Sequence, residues 1–236
     1  MVTTTRTGAR YVKPFSFSWT KIKNFEVCPK RHYEVDIAKS VKEPENESLA
    51  HGNIVHDIMA KRCGPLRQPI AEDYPAHYEK WATKVVGDGS GQYLVEDDIA
   101  INKDFRVVDK FAKDAWCRVK LDFVRIVGDV ALAADWKTGA IKDEGNVQLA
   151  LVAMCIFAKY PEVNAIKSCY VWLAEDAETS ETFYRTDIPT VWRSIWPRIE
   201  ALESAHVNMN YPPKPGGMCI RYCKVTACPY NGKGSR

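Results

Sequence analysis

Asp122 and the run Asp135-Trp136-Lys137 stand on either side of Gly128-Asp129. A two-residue loop with glycine first, set between β-branched runs, predicts a type II′ hairpin joining strands 116–127 and 130–137. Val127 then faces Val130, and counting back along both strands sets Asp122 opposite Asp135. Alternation along the strand brings Lys137 to the same face. Opposed carboxylates cost a sheet up to about 1 kcal/mol per pair unless a cation lies between them. Mg²⁺ or Mn²⁺, hard ions that take oxygen ligands, answer that need, with the Trp136 carbonyl as a further donor. Lys137 could then orient or deprotonate a water, or neutralise charge building on a phosphate, so the chemistry indicated is phosphodiester cleavage. The bland reading pairs the two carboxylates with Arg118, Lys120 and Lys137 on an exposed strand. Ala131 and Ala133 on the acidic face, and Leu132, Ala134 and Trp136 on the other, argue for half-burial instead.

Three further residues are candidates, each with a plain structural alternative. His56 lies one helical turn after Gly52, whose missing side chain leaves space beside an imidazole that could ligate a metal or simply be a satisfied histidine. Glu96 interrupts the apolar alternation of strand 92–101 and reads equally as part of a solvated acidic cluster with Asp97 and Asp98. Gln148 is the polar residue near the start of an otherwise apolar helix, placed to bond a DNA phosphate, to hold a carboxylate, or to face solvent.

The eight cysteines divide into two groups. Cys63, Cys117, Cys155 and Cys169 stand singly in apolar settings and read as buried thiols. Cys219, Cys223 and Cys228 crowd an irregular tail, a pattern that in an intracellular chain holds Zn²⁺ or an iron–sulfur cluster. Cys28-Pro29 offers a fourth thiol from far away in sequence, so the tail would clasp the N-terminal helices.

The elements that must position these groups follow from periodicity. Helices are expected at 19–27 behind a Ser16–Ser18 cap, in a turn from Pro29 to Tyr33, and at 50–62, 71–86, 145–160 and 189–206. Strands are expected at 92–101, 104–111, 116–127, 130–137, 165–174 and 181–187. An acidic loop covers 40–49, and residues 145–160 are apolar nearly all round, hence buried against the sheet. The pattern describes one α/β domain over 16–236, with a mixed sheet flanked by helices, a flexible lead-in at 1–15 and a cysteine-clasped tail at 210–230.

Composition sets wider bounds. With 236 residues, 46% hydrophobic and 27% charged, the chain can bury a full core and is neither fibrous nor disordered. A net charge of +3 tolerates nucleic acid without demanding it. No apolar run reaches the roughly 20 residues of a membrane span, and the polar N-terminus lacks a signal-peptide core, so an intracellular, cytoplasmic protein is expected. No P-loop sequence is present, so a stand-alone protein without a helicase domain is expected.

The ordered series Ser16-Phe-Ser18 through Cys28-Pro29-Lys-Arg31-His-Tyr33, then Gly52-Asn-Ile-Val-His56, Leu121-Asp122, Asp135-Trp-Lys137-Thr138-Gly139, Gln148-Leu149 and the tail cysteines resembles the PD-(D/E)XK nuclease superfamily, in particular its RecB-type exonuclease branch. The resemblance implies a restriction-endonuclease-like domain that cuts DNA with Mg²⁺ or Mn²⁺. It puts His56, Asp122 and Asp135 on the metal, Lys137 beside the attacking water, Gln148 in a glutamine-centred helix motif, and Glu96 at an acidic position found in some members. It also implies that Cys28, Cys219, Cys223 and Cys228 hold a structural 4Fe–4S cluster, with zinc the lesser occupant. The sequence departs from the pattern at Leu121 for the proline, at Val152 for a tyrosine of the helix motif, and in the spacing of Cys223. Lys21, Lys30, Arg31 and Tyr33, with Trp19 and Lys23, are the expected contacts along a single DNA strand or an accessible end. Size suits a phage or mobile-element DNA-processing or recombination exonuclease in a bacterial host, working beside a recombination or helicase partner. The rival from another class is a catalytically inactive nuclease-fold module that binds DNA or a partner.

Overall fold

The computed structural model describes residues 14–43, 47–142 and 145–232. Most of the expected lead-in and part of the acidic loop lie outside the described residues. A six-stranded mixed sheet forms the centre, with strands β1 (Gln92–Ile101), β2 (Val107–Val108), β3 (Cys117–Val127), β4 (Val130–Lys137), β5 (Ala165–Trp172) and β6 (Ala177–Tyr184) in the order β2-β1-β3-β4-β5-β6. All neighbours are antiparallel except β4 and β5, which run parallel because a helix carries the chain from one to the other.

Helices cover both faces. On one face lie α1 (Trp19–Val27), α5 (Val147–Lys159) and α6 (Ile188–Val207), packed through a core that includes Ile22, Leu151, Ile156 and Ile199. Leu149 to Phe157 of α5 are all buried, as a helix apolar all round requires. The other face receives α3 (Glu47–Cys63) and α4 (Ala76–Val86) around Met59, Trp81, Phe123 and Trp136. The short helices α2 (Pro29–His32) and α7 (Met218–Arg221) flank the junction of the two chain ends.

The hairpin has the expected register, Val127 opposite Val130 and Phe123 opposite Ala134. Gly128 takes φ +59° and Asp129 does not enter the left-handed region, the signature of a II′ turn. Three expected elements differ. The strand at 104–111 shrinks to Val107–Val108, because Asn102 Oδ1 accepts from the amides of Asp104 (3.0 Å) and Arg106 (3.1 Å) and makes a turn there. The helix at 71–86 starts only at Ala76, after Pro75. The last strand begins at Ala177 and ends at Tyr184, since an edge strand facing water can be as polar as Glu178–Glu181.

One irregularity shapes the site. In β3, Val119 and Leu121 enter the core beneath α5, and so do Val124 and Ile126, so the alternation slips by one residue between Leu121 and Val124. In β1 the same core takes Ile99 and Ile101 but also Leu94, while Val95 faces the other way. The two slips are matched across the ladder, where Val95 pairs with Phe123 and Asp97 with Leu121. Glu96 sits at the centre with φ +49°, a left-handed conformation that costs a non-glycine residue roughly 1–2 kcal/mol.

Candidate active site

The β3–β4 ladder ends at Phe123 and Ala134. The next pair would be Asp122 and Asp135, and instead of continuing the ladder Asp122 Oδ2 accepts the Trp136 amide at 2.9 Å. The two strands fork at the carboxylates, which corrects the expectation of an unbroken sheet with the acids squarely opposed. A cleft of about 760 Å³ opens at the fork. Its walls come from the start of α1, from one side of α3, from β3 and β4, and from the first turn of α5.

His56, Glu96 and Asp122 converge on this cleft. One ligand atom from each lies within 4.8 Å of the other two. His56 Nδ1 is 3.3 Å from Asp122 Oδ1 and 3.9 Å from Glu96 Oε1. The Asp122 carboxylate beside it, with charge from Asp135 and Glu96 behind, raises the imidazole's pKa above its usual value against the opposing effect of burial. Gly52, a turn earlier on α3, lies where an added Cβ would meet Thr138 Oγ1 at 3.4 Å. The side chain nearest that position is therefore Thr138 at the end of β4 and not the imidazole.

Asp135 belongs to a neighbouring cluster. Its Oδ1 accepts from Gln148 Nε2 at 2.7 Å, and its Oδ2 lies 2.6 Å from Lys137 Nζ. Lys137 also donates to Gln148 Oε1 at 3.3 Å and sits 4.9 Å from the centre of the Tyr170 ring. Burial pushes the Asp135 carboxyl up to about 6, with Lys137 opposing and Asp122 reinforcing the rise. Asp135 Oδ2 is buried, with the Lys137 ammonium as its partner. A buried carboxylate beside one imidazole and two further carboxylates is donor chemistry that a hard divalent cation takes, so these residues fit Mg²⁺ or Mn²⁺. Trp136 lines the cleft, its side chain buried on the far face of the sheet.

Sequence reasoning missed three contributors. Tyr170 is brought to Lys137 by the parallel register of β4 and β5, which sets Asp135 beside Tyr170, and strand pairing across a crossover leaves no local signal. Lys120 reaches Glu96 at 2.5 Å, and Arg118 lines the cleft two residues earlier on β3. Their alternation with Asp122 was visible in the sequence, but they read there as ordinary partners of the acids.

Of the expected DNA contacts Trp19 lines the cleft, and Lys21, Lys30, Arg31 and Tyr33 lie outside it. Lys21 is half-buried and donates to the Ser16 carbonyl at 2.7 Å and its hydroxyl at 3.0 Å. Lys30 pairs with Glu34 at 2.9 Å and Arg31 with Glu43 at 2.5 Å, while Tyr33 packs on Tyr211 with ring centres 4.9 Å apart. None of the four lines the cleft.

Cys28, Cys219, Cys223 and Cys228 all line one small pocket where the chain ends meet. The Lys214 amide points to Cys28 Sγ at 3.4 Å, the Lys30 amide bonds Pro212 O at 3.2 Å, and buried Asn231 donates to Cys223 O at 3.0 Å. Lys30, Arg31 and Lys214 line the same pocket, and among the described residues no carboxylate does. A soft, sulfur-rich donor set suits a metal–sulfur group.

The description of the PD-(D/E)XK nuclease superfamily matches residues 16–229. The chain belongs to the PD-(D/E)XK nuclease superfamily. Its mixed sheet with flanking helices is a restriction-endonuclease-like domain. Among solved structures it is similar to SSO0001, at 14% identity over 94% of this chain and 90% of that one, with a TM-score of 0.47. It is similar also to a "Putative exonuclease" from Eubacterium rectale, at 12% identity over 94% and 93% of the two chains, with a TM-score of 0.46. No curated protein matches. Among the described residues of this superfamily member no helix is long and apolar enough to cross a membrane.

Proposed function

We propose that the chain is a DNA exonuclease of the RecB-type branch that uses Mg²⁺ or Mn²⁺. The convergence of His56, Glu96 and Asp122 beside the Asp135–Lys137 pair, in one cleft, carries this reading. His56, Glu96 and Asp122 would hold the ion, with the Asp135 carboxylate beside them. A bound divalent cation supplies positive charge to a phosphate and acidifies a water. Asp135 and Gln148 fix the Lys137 ammonium at the cleft wall, and stacking on Tyr170 removes its remaining freedom. So held, Lys137 orients the attacking water and offsets charge that develops on the phosphate oxygens. Gln148 acts through its neighbours, since its amide is spent on Asp135 and its carbonyl on Lys137.

For the tail, the proposed occupant is a 4Fe–4S cluster held by Cys28, Cys219, Cys223 and Cys228. The meeting of all four thiols in one pocket, from segments far apart in the sequence, supports that reading. The proposal includes work in phage or mobile-element DNA processing, in a cytoplasm and beside a recombination or helicase partner.

The test is cleavage of end-labelled single- and double-stranded DNA with each metal, by wild type and by Asp122→Asn. Shortening from an end by wild type alone is expected. A wild type that cuts neither substrate and gains no stability from either ion makes the chain a binding module of nuclease fold.

A further inference from the structure

A second pocket, of about 570 Å³, lies next to the active cleft. Arg118 lines both. It is reached along β3, where Arg118, Lys120 and Asp122 alternate while Val119 and Leu121 turn into the core. Alternate residues of a strand are about 7 Å apart. The three side chains therefore form a row that leads away from the proposed metal group. β4 has forked away from this part of β3, and the segment around Phe17 bridges to Cys117 instead, which brings Ser16 beside Arg118.

At the head of the second pocket two cations share one residue. Lys21 Nζ donates to Ser16 O at 2.7 Å and Oγ at 3.0 Å, and Arg118 Nη1 donates to the same Oγ at 3.0 Å. Arg118 Nε is buried and has no hydrogen-bond partner among the described residues. Burial and the charge of Arg118 together lower the Lys21 pKa, the mark of two cations crowded without enough compensation. Asp36 is the carboxylate among the lining residues, and its Oδ2 is engaged by His32 Nδ1 at 2.7 Å and Asn24 Nδ2 at 2.9 Å. His206 lines the pocket as well, and exposed Lys39 and Lys113 stand around it. Crowded cations with a spare buried N–H and their acid already occupied form a receptor for an anion with several oxygens.

Resting on the nuclease reading above, we propose that Ser16, Lys21 and Arg118 form a phosphate-binding subsite that grips the DNA strand beyond the cut, with Lys120 between it and the metal group. The ligand is a phosphate group of the strand, either an internal phosphodiester or a terminal phosphate. The repulsion between Lys21 and Arg118 is relieved when that phosphate enters. Retention of the strand after each cut is the consequence.

The experiment is equilibrium binding of fluorescent single-stranded oligonucleotides in EDTA, so that nothing is cleaved. The oligonucleotides carry a 5′-phosphate, a 3′-phosphate or neither, and salt is varied. For Lys21→Gln with Arg118→Gln, binding about tenfold weaker is expected, with a salt slope shallower by about 1.4 for two lost contacts. Equal losses for all three oligonucleotides assign an internal phosphodiester, and a loss confined to one end-phosphorylated form assigns a terminal phosphate. Where a melt shows that this pair does not fold, Lys39→Ala with Lys113→Ala, both exposed, carries the same test with a slope shallower by about 0.7 or more. Binding equal to wild type, an unchanged salt slope, or no binding by wild type overturns the subsite. Cleavage by wild type, measured separately, then leaves the catalytic reading standing.

Discussion

Asp135→Asn should stabilise the metal-free protein and abolish its response to metal. Burial raises the Asp135 carboxyl from 3.8 to about 6. The folded value lies above the unfolded one, so this residue's contribution is fully present below about pH 4 and is lost as pH rises through about 6. At about 1.4 kcal/mol per pH unit, the charged form costs the metal-free fold at most about 3 kcal/mol near pH 8. Asparagine keeps the acceptor that Gln148 uses and removes the charge, at the expense of the Lys137 ion pair. A net gain of about 1–3 kcal/mol is expected, which for a chain of this size raises the melting temperature by roughly 2–12 °C. Near pH 5 wild type is largely protonated at Asp135, and the two proteins should melt together. Metal at about a thousand times its Kd adds about 4.1 kcal/mol to wild type and nothing to the variant, so the order of stabilities reverses. The assay is thermal melting of both proteins at about pH 5 and pH 8, in EDTA and then in Mn²⁺. A variant less stable than wild type at both pH values in EDTA refutes the burial argument. One that still gains stability from metal removes Asp135 from the ion's surroundings.

His56→Ala and Glu96→Gln should each weaken Mn²⁺ binding measured by calorimetry, with the midpoint moving at least tenfold, because each removes one of three converging ligands. Lys137→Met should lower the cleavage rate roughly a hundred- to ten-thousand-fold while leaving the melting shift with Mn²⁺ in place, which separates catalysis from metal binding. Cys223→Ser should abolish broad absorption near about 400 nm and the bound iron, and expose the tail to limited proteolysis. A colourless wild type containing zinc would overturn the cluster.

The hairpin was legible because a glycine-first loop fixes register through hydrogen bonding, so Asp122, Asp135 and Lys137 could be aligned by counting. The clasp was legible for a different reason, since thiols crowded in an irregular tail have few other uses and Cys28 does meet them. What stayed hidden depends on partners distant in sequence. The fork at Asp122 exists because the Trp136 amide finds a carboxylate there, and nothing in either strand's pattern announces it. Tyr170 arrives through a parallel pairing across a helix. Composition also does not say which neighbours meet a charge: Lys30 and Arg31 are paired with Glu34 and Glu43.

Glu96 ties fold to site most closely. Alternation in β1 and β3 is not simply continued at this point, and apolar residues enter the core on either side of the slip. The chain places a non-glycine residue at φ +49°, opposite a carboxylate that has left its own ladder. Both departures cost stability, and both bring oxygen atoms to the same few ångströms as His56. Glycine at position 96 would relieve the backbone cost and remove a carboxylate from the cleft. The carboxylates crowd His56 and one another, and the same crowding that burdens the metal-free fold is what a divalent cation would convert into binding energy.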